Sequence, residues 1–148
     1  MKRVYEFNKV RNGFKLDEEL EFNMLKEEIQ EFYEATTLAE RIDAMIDVRY
    51  VYEGTQMKYN ANMLPMNEDI SKVVGQFHRL STTIVAQELG DDSQYLDKII
   101  DRSLDIVCDA NELKLNKLDE NGKVIKQENL PNATMQIATM LKEITGDQ

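Results

Sequence analysis

The chain has 148 residues, of which 42% are hydrophobic and 31% are charged, which predicts one globular domain over residues 1–148. Its net charge of −10 disfavours binding to nucleic acid or to an anionic membrane surface. Cys108 and His78 are the only cysteine and histidine, which excludes an internal disulfide and a zinc site made of these residue types. No apolar run is long enough for a signal peptide or a membrane span, so a cytoplasmic location is expected.

The first two predicted helices are expected to form an antiparallel hairpin. Asp17 is a typical N-cap, and apolar residues three and four apart predict a helix from there to about residue 35. Thr37 and Glu40 match a capping box, in which each side chain satisfies a free backbone N–H of the other residue. They open a second helix that ends between residues 59 and 63.

Three more predicted helices complete an all-α helical bundle. Asn67 is the expected N-cap of a third helix that ends at the break formed by residues 90–92, and Ser93 opens a fourth helix that reaches about residue 115. The last helix covers about residues 132–144, with Pro131 at its start. Asn121-Gly122 is a turn sequence and predicts a short hairpin or an ordered loop near residues 117–126.

The first two helices carry acidic residues where a neighbouring helix is expected to pack. Residues at spacings of three and four lie on one side of a helix, and both stripes combine apolar residues with carboxylates. Crowded carboxylates repel one another and resist burial, so they require cations, protonation or water, and Mg²⁺ with its preference for oxygen ligands is one answer. The alternative is a plain solvated helix face. The two stripes contain Leu20, Met24, Glu27, Glu28 and Glu31 on the first helix and Asp43 and Asp47 on the second.

Two separated stretches resemble the all-α nucleoside triphosphate pyrophosphohydrolase superfamily of MazG-like enzymes, dimeric dUTPases and phosphoribosyl-ATP pyrophosphohydrolases. Residues 27–32 (EEIQEF) and 43–55 (DAMIDVRYVYEGT) are similar to its paired acidic motifs. Residues 109–114 (DANELK) and 120–126 (ENGKVIK) resemble the viral and bacterial phosphoribosyl-ATP-pyrophosphohydrolase-like branch. The resemblance covers about residues 4–60 and 100–131, and residues 64–92 are interpreted as a family-divergent helix or an insertion.

The resemblance implies hydrolysis of a nucleoside triphosphate between its α and β phosphates, with Mg²⁺, or Mn²⁺ in its place, as the metal. Glu27 or Glu28 is implied as the general base. Ala44 stands where the family usually has a glutamate, so Asp43 is expected to supply that ligand, and Glu40 is a further candidate. The implied metal ligands are Glu28, Glu31, Asp43 and Asp47.

The branch resemblance also implies substrate contacts from amide and ammonium groups. Tyr5 and Phe7, placed before the first predicted helix, either stack on a base or belong to an N-terminal arm that packs on the bundle or on a partner subunit. Arg49, beside the acidic pair, is interpreted as a salt-bridge partner or a phosphate clamp. Asn8, next to this aromatic pair, is expected to hydrogen-bond the base. The substrate contacts that the branch resemblance implies are Asn111, Lys114 and Lys126, although the lysines also suit an exposed turn.

The resemblance implies a homodimer or a homotetramer in which other subunits complete the bundle. It favours the purine deoxynucleotides dATP and dGTP as substrates and leaves dUTP and phosphoribosyl-ATP open. If the chain is viral, its expected location is the cytoplasm of the host. The alternatives from other classes are a catalytically inert helical binding module and a nucleotide sensor that binds without turnover.

Overall fold

The computed structural model describes residues 1–115 and 132–146 of the chain. In these residues it contains six α-helices, one short 3₁₀-helix and no strand, which confirms the all-α prediction for them. The hairpin or loop expected near residues 117–126 lies outside the described residues. None of the described helices is both long and apolar enough to cross a bilayer. The helices are α1 (Lys2–Arg11), α2 (Glu18–Glu34), α3 (Leu38–Ala61), α4 (Glu68–Leu89), α5 (Leu96–Leu115) and α6 (Ala133–Thr145), and the 3₁₀-helix is Gly90–Tyr95.

Polar side chains set the starts of the predicted helices. Asp17, Thr37 and Asn67 accept backbone N–H groups of α2, α3 and α4, as predicted, and Asn132 does the same for α6.

Two details of these helix starts differ from the predictions. The Glu40 carboxylate accepts the backbone N–H of Thr36 at 2.9 Å instead of that of Thr37, so the second half of the capping box is shifted by one residue. The fourth predicted helix begins at Leu96, later than Ser93, because the 3₁₀-helix occupies the residues before it.

Helix α1 was not predicted, since the segment around Tyr5, Phe7 and Asn8 was expected to precede the first helix. Only Val4 and Asn8 of α1 are buried, so its sequence carries little amphipathic pattern. The Arg3 guanidinium pairs with Asp109 and Glu112 of α5 and ties α1 to the bundle. Because short isolated helices are marginal in water, such tertiary contacts stabilise α1.

Helix α3 is the centre of the bundle and packs against each of the other five α-helices. Consecutive buried residues, 44–46, show that it is apolar on several faces, as a surrounded helix must be. Helices α2 and α3 form the predicted antiparallel hairpin. The hydroxyl of Tyr59 donates to Glu18 at one end of this pair, and Glu31 faces Asp43 at the other end.

Helix α4 lies within residues 64–92, the segment that the sequence resemblance leaves uncovered. It packs antiparallel to α3, because Arg41 pairs with Glu88 at one end and the hydroxyl of Tyr52 donates to Ser71 nearer the other. At 3.6 residues per turn, these contacts lie on the side of α3 opposite to its acidic pair. Helix α4 therefore lies behind the acidic residues of α3.

Candidate functional site

Three of the predicted metal ligands come together between α2 and α3. Carboxylate oxygens of Glu28, Glu31 and Asp47 lie within 4.8 Å of one another. The spacing of three residues puts Glu28 and Glu31 on the same side of α2, and the antiparallel hairpin brings Asp47 opposite to them. Glu31 is exposed while the other two are half-buried, so this acidic cluster lies at the edge of the helix interface.

Asp43, the fourth predicted ligand, lies next to the acidic cluster. The Thr134 hydroxyl of α6 donates a hydrogen bond of 2.9 Å to its Oδ2 atom. Burial raises the pKa of Asp43, and the hydrogen bond from Thr134 acts against that rise. Asp43, Glu31 and Thr134 also line a cavity of about 260 Å³ on this side of the cluster. Helix α6 thus helps to form the acidic site.

The acidic cluster is short of positive charge. Burial, followed by the negative charges of Asp43, Glu28 and Glu31, raises the pKa of Asp47 to about 9. Burial and the neighbouring Glu31 raise the pKa of Glu28 to about 7. The buried Oε2 atom of Glu28 has no hydrogen-bond partner among the described residues. A cation at this position would relieve both the repulsion and the missing partner.

The carboxylates of the acidic cluster fit a hard divalent cation. The cluster offers carboxylate oxygens, which Mg²⁺ and Mn²⁺ prefer over nitrogen and sulfur ligands. The unpartnered oxygen of Glu28 points to the same conclusion, because a buried carboxylate oxygen is normally hydrogen-bonded or bound to a cation. Glu28, Glu31 and Asp47 would hold the metal, with Asp43 adjacent to them.

A second cavity, of about 270 Å³, opens on the other side of the cluster between α1, α2, α3 and α5. Glu28 and Asp47 form part of its wall, and three predicted substrate contacts also line it. We call it the polar cavity. Lys126, the remaining predicted contact, lies outside the described residues. The predicted substrate contacts that line the polar cavity are Asn8, Asn111 and Lys114.

The two asparagines of the polar cavity differ in what they offer a ligand. Asn8 donates to the Val4 carbonyl at 2.9 Å and accepts from Asn12 at 3.0 Å, so both ends of its amide are engaged. Asn111 donates to the Val107 carbonyl at 3.0 Å. Its Oδ1 atom accepts no hydrogen bond from the part of the chain that is described, so it is the freer of the two amides.

The polar cavity also contains a buried ion pair that sequence analysis missed. Lys58 donates to both oxygens of Glu21, at 2.8 and 3.0 Å, and the Thr55 hydroxyl donates to the same carboxylate at 3.0 Å. Glu21 is 1% and Lys58 6% exposed. The helical spacing offered a signal for both residues: Gly54 and Lys58 continue the side of α3 that carries Asp43 and Asp47, and Glu21 precedes Glu28 by seven residues on α2.

The face that α2 turns toward α3 differs from the stripe predicted through Leu20 and Glu27. Both of these residues are exposed, and the face runs through Glu21 and Glu28 instead, because the hairpin buries the side of α2 one position further along. Glu27 is not part of the acidic cluster. Its negative charge nevertheless contributes to the raised pKa of Glu28.

Arg49 does not lie beside the acidic cluster. It leaves α3 on the opposite side, where its Nη2 atom donates to the Thr82 hydroxyl of α4 at 3.3 Å. Arg49 follows Asp47 by two positions in the sequence, and this spacing turns the two side chains to different sides of a helix. Neither a salt bridge to the acids of the cluster nor a phosphate clamp at that site fits this position.

The site therefore combines carboxylates with a cavity that presents amide and ammonium groups. Carboxylates bind hard cations, and ammonium groups bind phosphate oxygens. This pairing suits a polyanionic ligand that arrives with a divalent metal. Comparisons of the chain with protein-family models, curated proteins and solved structures found no significant match.

Proposed function

We propose that the protein is a Mg²⁺-dependent nucleoside triphosphate pyrophosphohydrolase that converts a (deoxy)nucleoside triphosphate and water to the monophosphate and diphosphate. The observation that carries this proposal is the approach of Glu28, Glu31 and Asp47 to within 4.8 Å beside a cavity that Lys114 lines. The resemblance of residues 27–32 and 43–55 to the all-α pyrophosphohydrolases supports the reaction. A cytoplasmic homodimer or homotetramer is part of the proposal.

When bound, Mg²⁺ or Mn²⁺ neutralises the charge of the triphosphate and lowers the pKa of a coordinated water. Glu28, Glu31 and Asp47 would hold the metal from two helices, and the α2–α3 hairpin keeps these three carboxylates together. Glu28 is better placed than Glu27 to accept a proton from the attacking water, since Glu28 lies within the cluster and Glu27 is exposed outside it.

The polar cavity is the proposed place for the rest of the substrate. Lys114 is close enough for its positive charge to lower the pKa of both Asp43 and Asp47, and its ammonium group is available to bind a phosphate. The Oδ1 atom of Asn111, which accepts no hydrogen bond from residues 1–115 or 132–146, would accept one from the sugar or the base. The resemblance of residues 109–114 and 120–126 favours dATP or dGTP, with dUTP and phosphoribosyl-ATP as alternatives.

The direct test is an assay of diphosphate release from the four common deoxynucleoside triphosphates, dUTP, the ribonucleotides and phosphoribosyl-ATP. Each reaction is run with Mg²⁺, with Mn²⁺ and with EDTA. Release is expected with either metal and not with EDTA. Asp47→Asn and Glu31→Gln are each expected to reduce kcat/KM by at least about a hundredfold, because each removes a charged ligand.

Glu19→Gln is the matched control, because Glu19 is an exposed glutamate on the same helix and lies outside both cavities. Its activity is expected to equal that of the unchanged chain. Saturable Mg²⁺ binding without diphosphate release would identify a nucleotide sensor instead. If calorimetry shows no Mg²⁺ binding that depends on Asp47, the proposal is wrong and the inert helical module is the better description.

A further inference from the structure

A third cavity, of about 380 Å³, lies between α3 and α4, on the side of α3 opposite to the acidic cluster. We call it the rear cavity. Gly75 of α4 contributes to its space, because a Cβ atom built on this residue meets no atom within 4 Å. Its volume is in the range of small-molecule sites in proteins. Its apolar walls are Met45, Val48, Val74 and Phe77.

Arg49 places a cation in this mostly apolar space. Its Nη2 atom donates to Thr82. Within residues 1–115 and 132–146, its buried Nε atom has no hydrogen-bond partner and its guanidinium group pairs with no carboxylate. Burial lowers the pKa of Arg49, since no negative charge offsets the desolvation of the guanidinium group. Arg3 and Arg41, in contrast, are both paired with carboxylates.

The other ionisable groups of the rear cavity do not neutralise Arg49. Glu53 lines the cavity, but its carboxylate pairs with the amino group of Met1 at 3.1 Å. Burial and the positive charges of Arg49 and Arg79 lower the pKa of His78, and a histidine carries no negative charge in either of its forms. The rear cavity is therefore positive at the end where Arg49 enters.

We propose that the rear cavity binds a small anion with an apolar or aromatic body, whose carboxylate or phosphate group pairs with Arg49. A guanidinium group binds both kinds of anion through parallel N–H donors, and the unpartnered Nε atom is one such donor. The apolar body of the ligand would pack on Met45, Val74 and Phe77. This site shares no residue with the acidic cluster and does not depend on the proposed hydrolysis.

The test is calorimetric titration of the full chain with benzoate, with phenyl phosphate and with the neutral control benzyl alcohol, all in EDTA. Without a metal the acidic cluster repels anions, and the Arg49 variant described below separates binding in the rear cavity from binding to Lys114 of the polar cavity. At least one anion is expected to bind saturably with one site per chain, and which one binds distinguishes a carboxylate ligand from a phosphate ester. Benzyl alcohol is expected to bind at least about tenfold more weakly.

Two variants locate the binding. Arg49→Met keeps the length of the side chain and removes its charge, and Gly75→Leu fills the cavity without changing the charge; each is expected to weaken binding at least about tenfold. Lys98→Met, which removes an exposed charge on α5, is expected to change nothing. The proposal is overturned if neither anion binds or if Arg49→Met binds as well as the unchanged chain. If Arg49→Met does not fold, unchanged binding in Gly75→Leu overturns it.

Discussion

Gly54 lies directly against the side chain of Asn8, so that a Cβ atom on Gly54 would come 2.7 Å from the Asn8 amide nitrogen. This close contact lets α1 pack against α3 beside the polar cavity. Asn8 is buried and hydrogen-bonded to Val4 and Asn12, so it cannot move aside without losing these bonds. The absence of a side chain at Gly54 is therefore needed for the position of Asn8.

Gly54→Ala is expected to destabilise the chain by about 1–3 kcal/mol, because overpacking displaces Asn8. Gly75→Ala is the matched control, since Gly75 is also helical but its added Cβ atom meets nothing within 4 Å. That variant is expected to stabilise the chain by about 0.5–1 kcal/mol through helix propensity. Urea unfolding of both variants measures the difference, and a stabilising Gly54→Ala would contradict the prediction.

Removing one partner of the buried ion pair is expected to be costly. Lys58→Met leaves the Glu21 carboxylate buried beside Thr55 alone, which is expected to destabilise the chain by about 3–5 kcal/mol. The double variant Glu21→Gln with Lys58→Met removes both charges and is expected to recover most of this loss.

Arg102→Met provides the comparison for this ion pair, because Arg102 pairs with Glu143 at an exposed position. Its expected cost is below about 1 kcal/mol, as for other surface ion pairs. Denaturant unfolding measures all three variants. Equal decreases in the free energy of unfolding in Lys58→Met and Arg102→Met would show that the burial of Lys58 adds nothing to the cost of losing the ion pair.

The helices that sequence predicts well are those whose starts depend on neighbouring residues. Asp17, Thr37 and Asn67 each cap a helix through a backbone N–H two or three residues away, so a short stretch contains the whole signal. Helix α1 lacks such a signal. The ion pair between Arg3 and Glu112 connects α1 to α5, and these two residues are more than 100 positions apart in the chain.

The distinction between signals carried by nearby residues and contacts between distant ones also applies to the candidate site. Glu28, Glu31 and Asp47 follow from helical spacing and from a hairpin with a short connection, so their approach was predictable. The pairing of Glu21 with Lys58 was not predictable, because lysine and glutamate side chains near helix ends are normally solvated. Only the register between α2 and α3 reveals that both are buried.

Lys114→Met tests the proposed role of the polar cavity. It removes a positive charge that lowers the pKa of Asp43 and Asp47, so both carboxyl groups should bind protons more tightly. We expect KM for the nucleotide to rise about tenfold or more, with a smaller change in kcat. The acidic limb of the pH–rate profile should also move to higher pH. Lys98→Met is the control, and an identical profile in both variants would argue against contact between Lys114 and the site.

Asp47→Asn is expected to stabilise the metal-free chain. The pKa of Asp47 is raised in the folded protein from 3.8 to about 9, so its contribution to stability is present in full below about pH 4 and is lost as pH rises through about 9. An amide at this position does not titrate, so the difference in unfolding free energy between the variant and the unchanged chain should grow between pH 6 and pH 8, by on the order of 1 kcal/mol per pH unit.

Thermal unfolding in EDTA and in Mg²⁺ separates this effect from metal binding. In EDTA the midpoint of Asp47→Asn should exceed that of the unchanged chain by a margin that widens from pH 6 to pH 8. In Mg²⁺ the order should reverse, because a cation bound to the native state stabilises only the chain that retains its ligands. If the margin in EDTA does not vary with pH, Asp47 is already ionised at neutral pH, and the charge deficit inferred for the cluster is absent.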